Sequence, residues 1–296
     1  IIDGTLQLKG GTALPDYNTL TFTGANAVLD LNGVSESIGS IASINGIGKI
    51  TSSVAGAVTL TIGSSNLNTT YTGLIEDGLG VLSLAKYGQS FSLGNATHSQ
   101  ANTYTGLTTI YAGTLAIYNS RSLGSTSGGT IVRGSGKLAL YNNIQVGAED
   151  LALNASGVTL SNESGNNSWD GPVSLGQSTT LNSTAGTLSL TQTMTGNNVS
   201  LVTTGAGSMT LSGTLTLGTG GITSNMGTFS LYSAGIYSGA TTVSSGIVHI
   251  RNSGSLGSGA VTVALGGSLQ LQGGIAIPNT LSLKGRGPLG TGALQS

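Results

Sequence analysis

The sequence predicts an all-β fold, a parallel β-solenoid of roughly 13 coils with about 21 residues in each coil. Three observations lead to this prediction. The side chains are too small to fill a wide core, a short strand-like word recurs at a nearly constant spacing, and turn-forming residues separate its copies. We expect residues 1–296 to form one continuous solenoid.

The composition limits the size of the core. The chain has 296 residues but a mass of only 29.1 kDa, with 50 glycines, 4% aromatic residues and 6% charged residues. Globular domains usually carry about 25% charged residues. So few large apolar side chains cannot fill a wide, spherical core. A narrow core that repeats many times needs only Val, Leu, Ile and Ala.

The recurring word consists of a small residue, any residue, and then alternating apolar positions. Alternation over a short segment is the period of a strand with one buried face. From Gly186 onward the interval between successive copies is nearly constant, whereas it is clearly longer after Gly80 and after Gly157. We expect these larger gaps to hold loops or an additional partial coil. Copies of the word start at Gly4, Ala27, Gly48, Gly80, Gly113, Gly136, Gly157, Gly186, Gly207, Gly227, Gly246 and Gly267.

Two other all-β architectures compete with the solenoid. An antiparallel sandwich or barrel also has short strands and frequent turns, but it does not explain one word at a nearly constant spacing. A propeller blade needs about 40 to 50 residues per repeat. The spacing therefore favours a solenoid, in which each strand pairs with its counterpart one coil away, at a distance of about 4.8 Å.

A longer repeat is superimposed on the short one. The segments Tyr104–Ser125 and Tyr237–Ser258 align without a gap and are identical at more than half of their positions. Each begins with an aromatic-x-Gly word, which occurs again at Trp169. We interpret Tyr104, Trp169 and Tyr237 as structural aromatics at one corner of the repeat, with Trp169 in place of tyrosine. The alternative interpretation is that the ring of Trp169 is exposed and stacks on a sugar.

Both copies of the longer repeat resemble the autotransporter-associated β-strand repeat, also called the passenger-associated transport repeat. The first copy matches that family with "GLGVLSL" from Gly78, "NTYTGLTTI" from Asn102, "AGTLAI" from Ala112 and "SLGS" from Ser122. The second copy matches with "GAGSMTL", "YSGATTV", "SGIVHI" and "SLGS". The resemblance covers most of the chain.

The resemblance implies a right-handed parallel β-helix within a large surface protein of a Gram-negative-type bacterium. Such a protein is an autotransporter passenger, often an adhesin, and is extracellular or associated with the outer membrane. These passengers cross membranes unfolded, and the absence of cysteine from the chain is consistent with that route.

Charge and cysteine content exclude several classes of function. The net charge is −1, and the nine Lys and Arg residues are scattered from Lys9 to Arg286, so no basic cluster exists for nucleic acid or an anionic membrane. Without cysteine the chain has no disulfides, thiolate metal sites or cysteine nucleophiles. We expect no cofactor and no metal.

One long stretch, residues 171–250, contains no Asp, Glu, Lys or Arg. Gly, Ser, Thr and Asn interrupt it at short intervals, so we do not expect it to insert into a membrane. Exposed strands usually carry charges that oppose association. We therefore expect this stretch to associate side by side with other copies, almost independently of salt.

The ionisable residues predict no catalytic site. Two pairs of adjacent acids occur, Glu76–Asp77 and Glu149–Asp150, and neighbours on a strand point to opposite faces, which suits paired carboxylate chemistry poorly. We expect these acids to be solvated turn residues. His98 and His249 have no partner at catalytic or metal-ligand spacing and are expected at the surface. The chain is therefore not expected to be an enzyme.

The function that fits these observations is that of a structural or adhesive surface protein: a stalk, a matrix fibre or an adhesin segment. Its expected partners are other copies of itself, head to tail or side by side, and surface glycans or host and matrix proteins. Both chain ends, "IIDGTLQL" and "GRGPLGTGALQS", read as interrupted repeats, so we expect a longer solenoid or end-to-end stacking.

Two alternatives remain open. One is a polysaccharide-binding or polysaccharide-degrading β-helix. The other is an ice-binding or surface-binding solenoid, suggested by Thr-x-Thr words at Thr191–Thr195 and Thr214–Thr216. An ice-binding face needs its threonines in constant register, and the spacing of these words predicts a register that wanders.

Overall fold

A computed structural model describes residues 1–296. The protein is an all-β parallel β-solenoid of ~14 turns of ~21 residues, with essentially no helix. Contacts within the chain separate two compact units, Ile1–Leu151 and Ala152–Ser296. The solenoid prediction is confirmed, and the expectation of one continuous domain stays a prediction.

Strands are the only regular secondary structure in the first unit. Its strands are β1 (Thr5–Gln7), β2 (Thr19–Phe22), β3 (Val28–Asp30), β4 (Glu36–Ile38), β5 (Ser40–Ser43), β6 (Lys49–Ile62), β7 (Thr69–Tyr71), β8 (Leu74–Lys86), β9 (Phe91–Leu93), β10 (Thr108–Ile117), β11 (Thr130–Leu140) and β12 (Gln145–Val146). Strand β13 (Leu151–Ala155) begins at the last residue of this unit.

Pairing in the first unit is parallel and joins each strand to the equivalent strand of the next coil. The start of β6 pairs with β3 and with the start of β8, whereas the ends of β6 and β8 belong to a second ladder that continues into the start of β10. A third ladder joins β7, β9 and the ends of β10 and β11. The long strands therefore bend around a corner and contribute to two faces of the coil.

The second unit repeats this arrangement with shorter coils. Its elements are β14 (Val158–Asn162), β15 (Asn166–Trp169), β16 (Val173–Leu175), β17 (Thr179–Ser183), β18 (Thr187–Leu190), β19 (Met194–Gly196), β20 (Leu201–Leu211), β21 (Leu215–Gly218), β22 (Ile222–Leu231), β23 (Gly235–Tyr237), β24 (Thr241–Ile250), β25 (Val261–Val263), β26 (Gly267–Leu271), β27 (Leu281–Leu283), a 3₁₀ turn (Pro288–Gly290) and β28 (Leu294–Gln295).

Three parallel ladders also run through the second unit. One joins β16, β19, β21 and β23, and another joins β14, β17, the starts of β20, β22 and β24, and then β25 and β27. The third joins β15, β18, the ends of β20, β22 and β24, and then β26 and β28. Each coil thus has three faces.

The core of each unit is narrow and is built from stacked columns of one apolar residue per coil. Because alternate side chains of a strand point inward, residues in register one coil apart meet inside the solenoid. In the second unit one such column consists of Leu188, Met209, Phe229, Val248 and Leu269, each at most 1% exposed. Medium-sized apolar residues fill this space, as the composition predicts.

The expectation of loops or a partial coil holds for one of the two large gaps: residues 94–107, between β9 and β10, form no strand, whereas β14 to β17 fill the gap after Gly157. Leu84, in the word that starts at Gly80, pairs with Thr108 in the next coil. Leu160, in the word at Gly157, pairs in the same way with Leu181. Coil length is therefore nearly unchanged across both gaps. The word has moved to a different face of the solenoid, because any face can accept the same alternating pattern.

Candidate functional surface

The two tyrosine corners are built by the same contacts, which explains why this segment occurs twice in the sequence. The Tyr104 Oη lies 2.7 Å from Thr108 Oγ1, and the Tyr237 Oη lies 2.9 Å from Thr241 Oγ1. One coil later, the backbone N–H of Ser125 donates to the carbonyl of Tyr104. In the second unit, Ser258 donates in the same way to Tyr237. Both rings are buried, at 0% and 4% exposure.

The "SLGS" word covers each tyrosine from the next coil. Gly124 and Gly257 have positive φ angles of 85° and 58°. A Cβ added at either position would lie 2.3 Å from the carbonyl oxygen of the tyrosine and 3.0 Å from its ring. Only glycine allows both the left-handed backbone and this close approach. The tyrosine and the glycine of the next coil therefore pack together as one corner of the solenoid.

Trp169 does not occupy the tyrosine corner, so the prediction that it replaces tyrosine there is wrong. It ends β15 and pairs with Leu190, which pairs with Leu211. Tyr237 instead pairs with Gly218, in a different ladder of the same unit. Trp169 fills an apolar column because its position in the strand, and not the aromatic-x-Gly word, determines where its side chain points.

The carbohydrate interpretation of Trp169 fails for a related reason. The residue is 0% exposed. A sugar can stack only on a ring face that solvent reaches, so a ring enclosed in the core offers no platform. Trp169 therefore acts in packing.

The adjacent acids make separate structural contacts. Glu76 pairs with Lys49 at 3.1 Å, and the Asp77 carboxylate accepts hydrogen bonds from the backbone N–H groups of Leu82 and Thr105. Glu149 is 2% exposed and accepts a 2.5 Å hydrogen bond from the hydroxyl of the threonine that begins β11. The expectation that these acids are solvated turn residues is therefore wrong for Glu149, which is buried, and for Glu76 and Asp77, which lie within strand β8.

The environment of Glu149 changes its acidity. Burial raises its pKa to about 7, the hydrogen bond from Thr130 opposes that rise, and the nearby charge of Asp150 adds to it. Asp150 itself is exposed, and its backbone carbonyl accepts a hydrogen bond from the N–H of Thr130. The pair thus places one carboxyl in the core and one in solvent.

The two histidines lie apart from these acids. His98 is exposed in the segment after β9, where Nδ1 lies 2.9 Å from Thr97 Oγ1. His249 is half-buried in β24, and its pKa is lowered by burial and by Arg251, against a hydrogen bond with Gln272. No group of three or more His, Asp or Glu side chains is arranged to hold a metal ion.

The second unit carries ladders of hydroxyl groups on its outside, within and beside the charge-free stretch. We call one of them the threonine ladder. Its members are in register over successive coils, and one of them is a valine: Thr180, Val202, Thr223, Thr242, Thr262 and Ser282. All of them except Ser282 alternate along their strands with buried neighbours. These residues are not those of the Thr-x-Thr words, for which we expected a wandering register: Thr195 pairs with Thr216, but Thr216 pairs with Ile236, so that row of threonines does not continue. At one strand spacing per coil the side chains recur about every 4.8 Å.

Another face of the second unit carries a serine–threonine ladder, which consists of Ser168, Ser189, Thr210 and Ser230. The serines and threonines of both ladders are half-buried or exposed. Hydroxyls inside the unit behave differently, since Thr159 pairs with Thr179 at 2.7 Å and Thr203 with Ser224 at 3.2 Å. The outer hydroxyls are therefore available to water or to another surface.

Lys86 is a buried ionisable residue that belongs to none of the motifs in the sequence. It is 0% exposed and lies in register between Ile62 and Ile110, in an inward-facing column. The alternation of Leu82, Leu84 and Lys86 in β8 already places it inward, although its charge argues against that position. The inward position of Lys86 could therefore have been predicted from the alternation of apolar residues in this strand.

Comparisons with protein families, curated proteins and solved structures found no match to this chain. The helical content of the structure includes no segment with the length and apolar character required to cross a bilayer.

Proposed function

We propose that this chain is a structural, adhesive β-solenoid of the extracellular surface, and that the second unit provides its contact surface. The observation that carries the proposal is the pair of charge-free hydroxyl ladders on that unit. Each ladder repeats one small side chain per coil, so a second copy or a neutral glycan can form the same weak contact many times. Many weak contacts along one rigid surface add to strong binding.

The absence of charge determines the kind of partner. Residues 171–250 offer no Asp, Glu, Lys or Arg to a charged ligand. A second copy of the same surface meets no electrostatic repulsion, and side-by-side association buries hydroxyl and methyl groups together. The partners we propose are therefore other copies of this chain and uncharged surface polymers.

The proposal is tested with a triple variant of the threonine ladder, Thr223→Lys, Thr242→Lys and Thr262→Lys. Three ammonium groups spaced one coil apart repel an identical ladder and must be desolvated on contact. We expect sedimentation velocity to show assemblies of the wild-type chain and loss of those assemblies in the variant. A matched control places three lysines at exposed positions of the first unit: Thr12→Lys, Gln89→Lys and Thr126→Lys.

The control variant should assemble as the wild type does. A wild-type chain that stays monomeric and retains no neutral polysaccharide in co-sedimentation would contradict the proposal. Equal loss of assembly in both variants would also count against it, since net charge and not the ladder would then be responsible.

Ice binding is a second candidate, and the constant register of the threonine ladder favours it. A flat row of methyl and hydroxyl groups at regular intervals is the type of face that orders water. Thermal hysteresis in the wild type, and its loss in Thr242→Lys, would support this function. Freezing and melting points that coincide in the wild type would exclude it.

A further inference from the structure

Two pairs of stacked tyrosines lie on the first unit, and both join successive coils. The ring centroids of Tyr87 and Tyr111 are 4.5 Å apart with an angle of 6° between the ring planes. The rings of Tyr118 and Tyr141 are 4.6 Å apart at 10°. Both separations match the spacing of neighbouring strands, about 4.8 Å.

The stacking follows from the register of the strands. Lys86 pairs with Ile110, so the residues that follow them, Tyr87 and Tyr111, are opposite one another. In the second pair, the backbone N–H of Tyr141 donates to the carbonyl of Ile117, the residue before Tyr118, at 3.1 Å. Identical aromatic residues in one column are held face to face by the backbone, so the ring pairs are pre-organised.

The first pair is accessible to reagents in solution. Tyr87 is 40% exposed and Tyr111 is 37% exposed. Burial, the nearby phenol of Tyr111 and a hydrogen bond between the two side chains raise the pKa of Tyr87. The Tyr87 phenol is therefore protonated at neutral pH, and it can lose an electron and a proton together.

We propose that these pairs are sites of oxidative tyrosine cross-linking between successive coils. A one-electron oxidant, such as a haem peroxidase with hydrogen peroxide, removes one electron and one proton from each phenol. The two phenoxyl radicals then form a carbon–carbon bond between their ortho positions. Each ring regains aromaticity when the hydrogen at its coupling carbon moves to the phenol oxygen. Hydrogen peroxide takes up two electrons and two protons and becomes two molecules of water.

A tyrosine cross-link would give this cysteine-free chain a covalent connection between coils. No cysteine is available for a disulfide between coils, so a tyrosine pair is a covalent connection that the side chains of this unit can form by oxidation. The bond between Tyr87 and Tyr111 closes one coil of the solenoid. Closing a loop restricts the unfolded chain, and we expect the cross-linked protein to unfold at a higher temperature.

The test oxidises the full chain with a haem peroxidase and hydrogen peroxide at low protein concentration, followed by proteolysis and mass spectrometry. We expect one cross-linked peptide pair joining Tyr87 to Tyr111 and another joining Tyr118 to Tyr141. Each product should weigh two hydrogen atoms less than the sum of its peptides. The yield should be independent of protein concentration, because both partners belong to one molecule.

Phenylalanine variants provide the control, since they keep the stacked ring and remove the phenol. Tyr111→Phe should abolish the first cross-link and leave the second at its wild-type yield, and Tyr141→Phe should do the reverse. Tyr17 is 77% exposed and stacks on no other ring, so it reports random coupling between molecules. Cross-links that form only through Tyr17 and increase with concentration would overturn the proposal, as would an undiminished yield in Tyr111→Phe.

Discussion

Lys86 shows at the scale of one residue how the narrow core tolerates a charge. Its Nζ donates hydrogen bonds to the backbone carbonyls of Gly88, Gln89 and Ala112, the last from the next coil at 2.7 Å. The ammonium thus connects the corner of one coil to the corner of the next. Burial nevertheless lowers the pKa of Lys86 to about 8, because the core solvates the charged form less well than water.

This lowered pKa predicts a stability that rises with pH. The unfolded chain binds the lysine proton up to its ordinary pKa of 10.5, whereas the folded chain releases it near pH 8, so unfolded molecules bind more protons between these values. The free energy of unfolding should increase by about 2 kcal/mol between about pH 8 and about 9.5. Chemical denaturation of wild type and Lys86→Met over this interval measures the effect.

The variant Lys86→Met should lose the rise, while Lys49→Met should keep it, because the Lys49 side chain is 42% exposed and pairs with Glu76 at the surface. At still higher pH the buried Tyr237, whose pKa burial raises to about 12, acts in the opposite direction, since its ordinary pKa is 10.0. A wild-type stability that is flat from about pH 8 to about 9.5 would show that the ammonium stays protonated in the core.

Among the structural elements, the long repeat duplicates one corner of the solenoid. A tyrosine and the glycine of the next coil form this corner. Asn119 and Asn252 begin the two "SLGS" turns in the same way, since their side-chain oxygens accept from the backbone N–H groups of Arg121 and Gly254 at 2.9 Å. Side chains of Asn commonly stabilise turns through this contact. Two remote segments therefore share sequence because they share a turn.

Substitution of the corner glycine measures what the close approach contributes. Gly257→Ala should destabilise the protein by about 3 kcal/mol, since it combines an unfavourable positive φ with a Cβ that meets the Tyr237 carbonyl. Gly266→Ala is the matched control: its φ is 93° and no atom lies within 4 Å of the added Cβ, so we expect a cost of about 1 kcal/mol. Equal costs in urea denaturation would show that the contact at the corner is unimportant.

At the scale of the whole molecule, charge is scarce and unevenly distributed. The net charge is −1, and residues 171–250 carry none of the chain's Asp, Glu, Lys or Arg side chains. Low net charge weakens the electrostatic repulsion that keeps proteins apart in solution. Contacts between charge-free surfaces rely on hydroxyl and apolar groups, which salt does not screen.

Self-association should therefore change little with ionic strength. We expect the sedimentation profile of the wild-type chain to be nearly the same in dilute buffer and in about 1 M NaCl, where the Debye length falls to about 3 Å. Because NaCl screens ion pairs and leaves these hydroxyl contacts intact, assemblies should persist. Assemblies that dissociate as salt is added would assign the association to charged residues outside the 171–250 stretch.

Local patterns in the sequence were sufficient for the architecture and for one of its corners. Strand alternation and the nearly constant spacing of the words predicted parallel coils. The alternation is visible within a single strand, and the spacing is visible between one repeat and the next. The duplicated segment predicted that Tyr104 and Tyr237 are equivalent, and their contacts are the same. These features depend on residues within one or two coils.

Tertiary structure alone decided which face each word joins. The words at Gly80 and Gly157 lie on a different face from the words that follow them, and Trp169 lies in a column of leucines. The residues of the threonine ladder are in register across successive coils. Three faces of a solenoid accept the same apolar alternation, so a strand word does not specify its ladder. The face that a strand occupies depends on the number of residues in the turns that precede it in the coil. Packing of the whole coil determines that number.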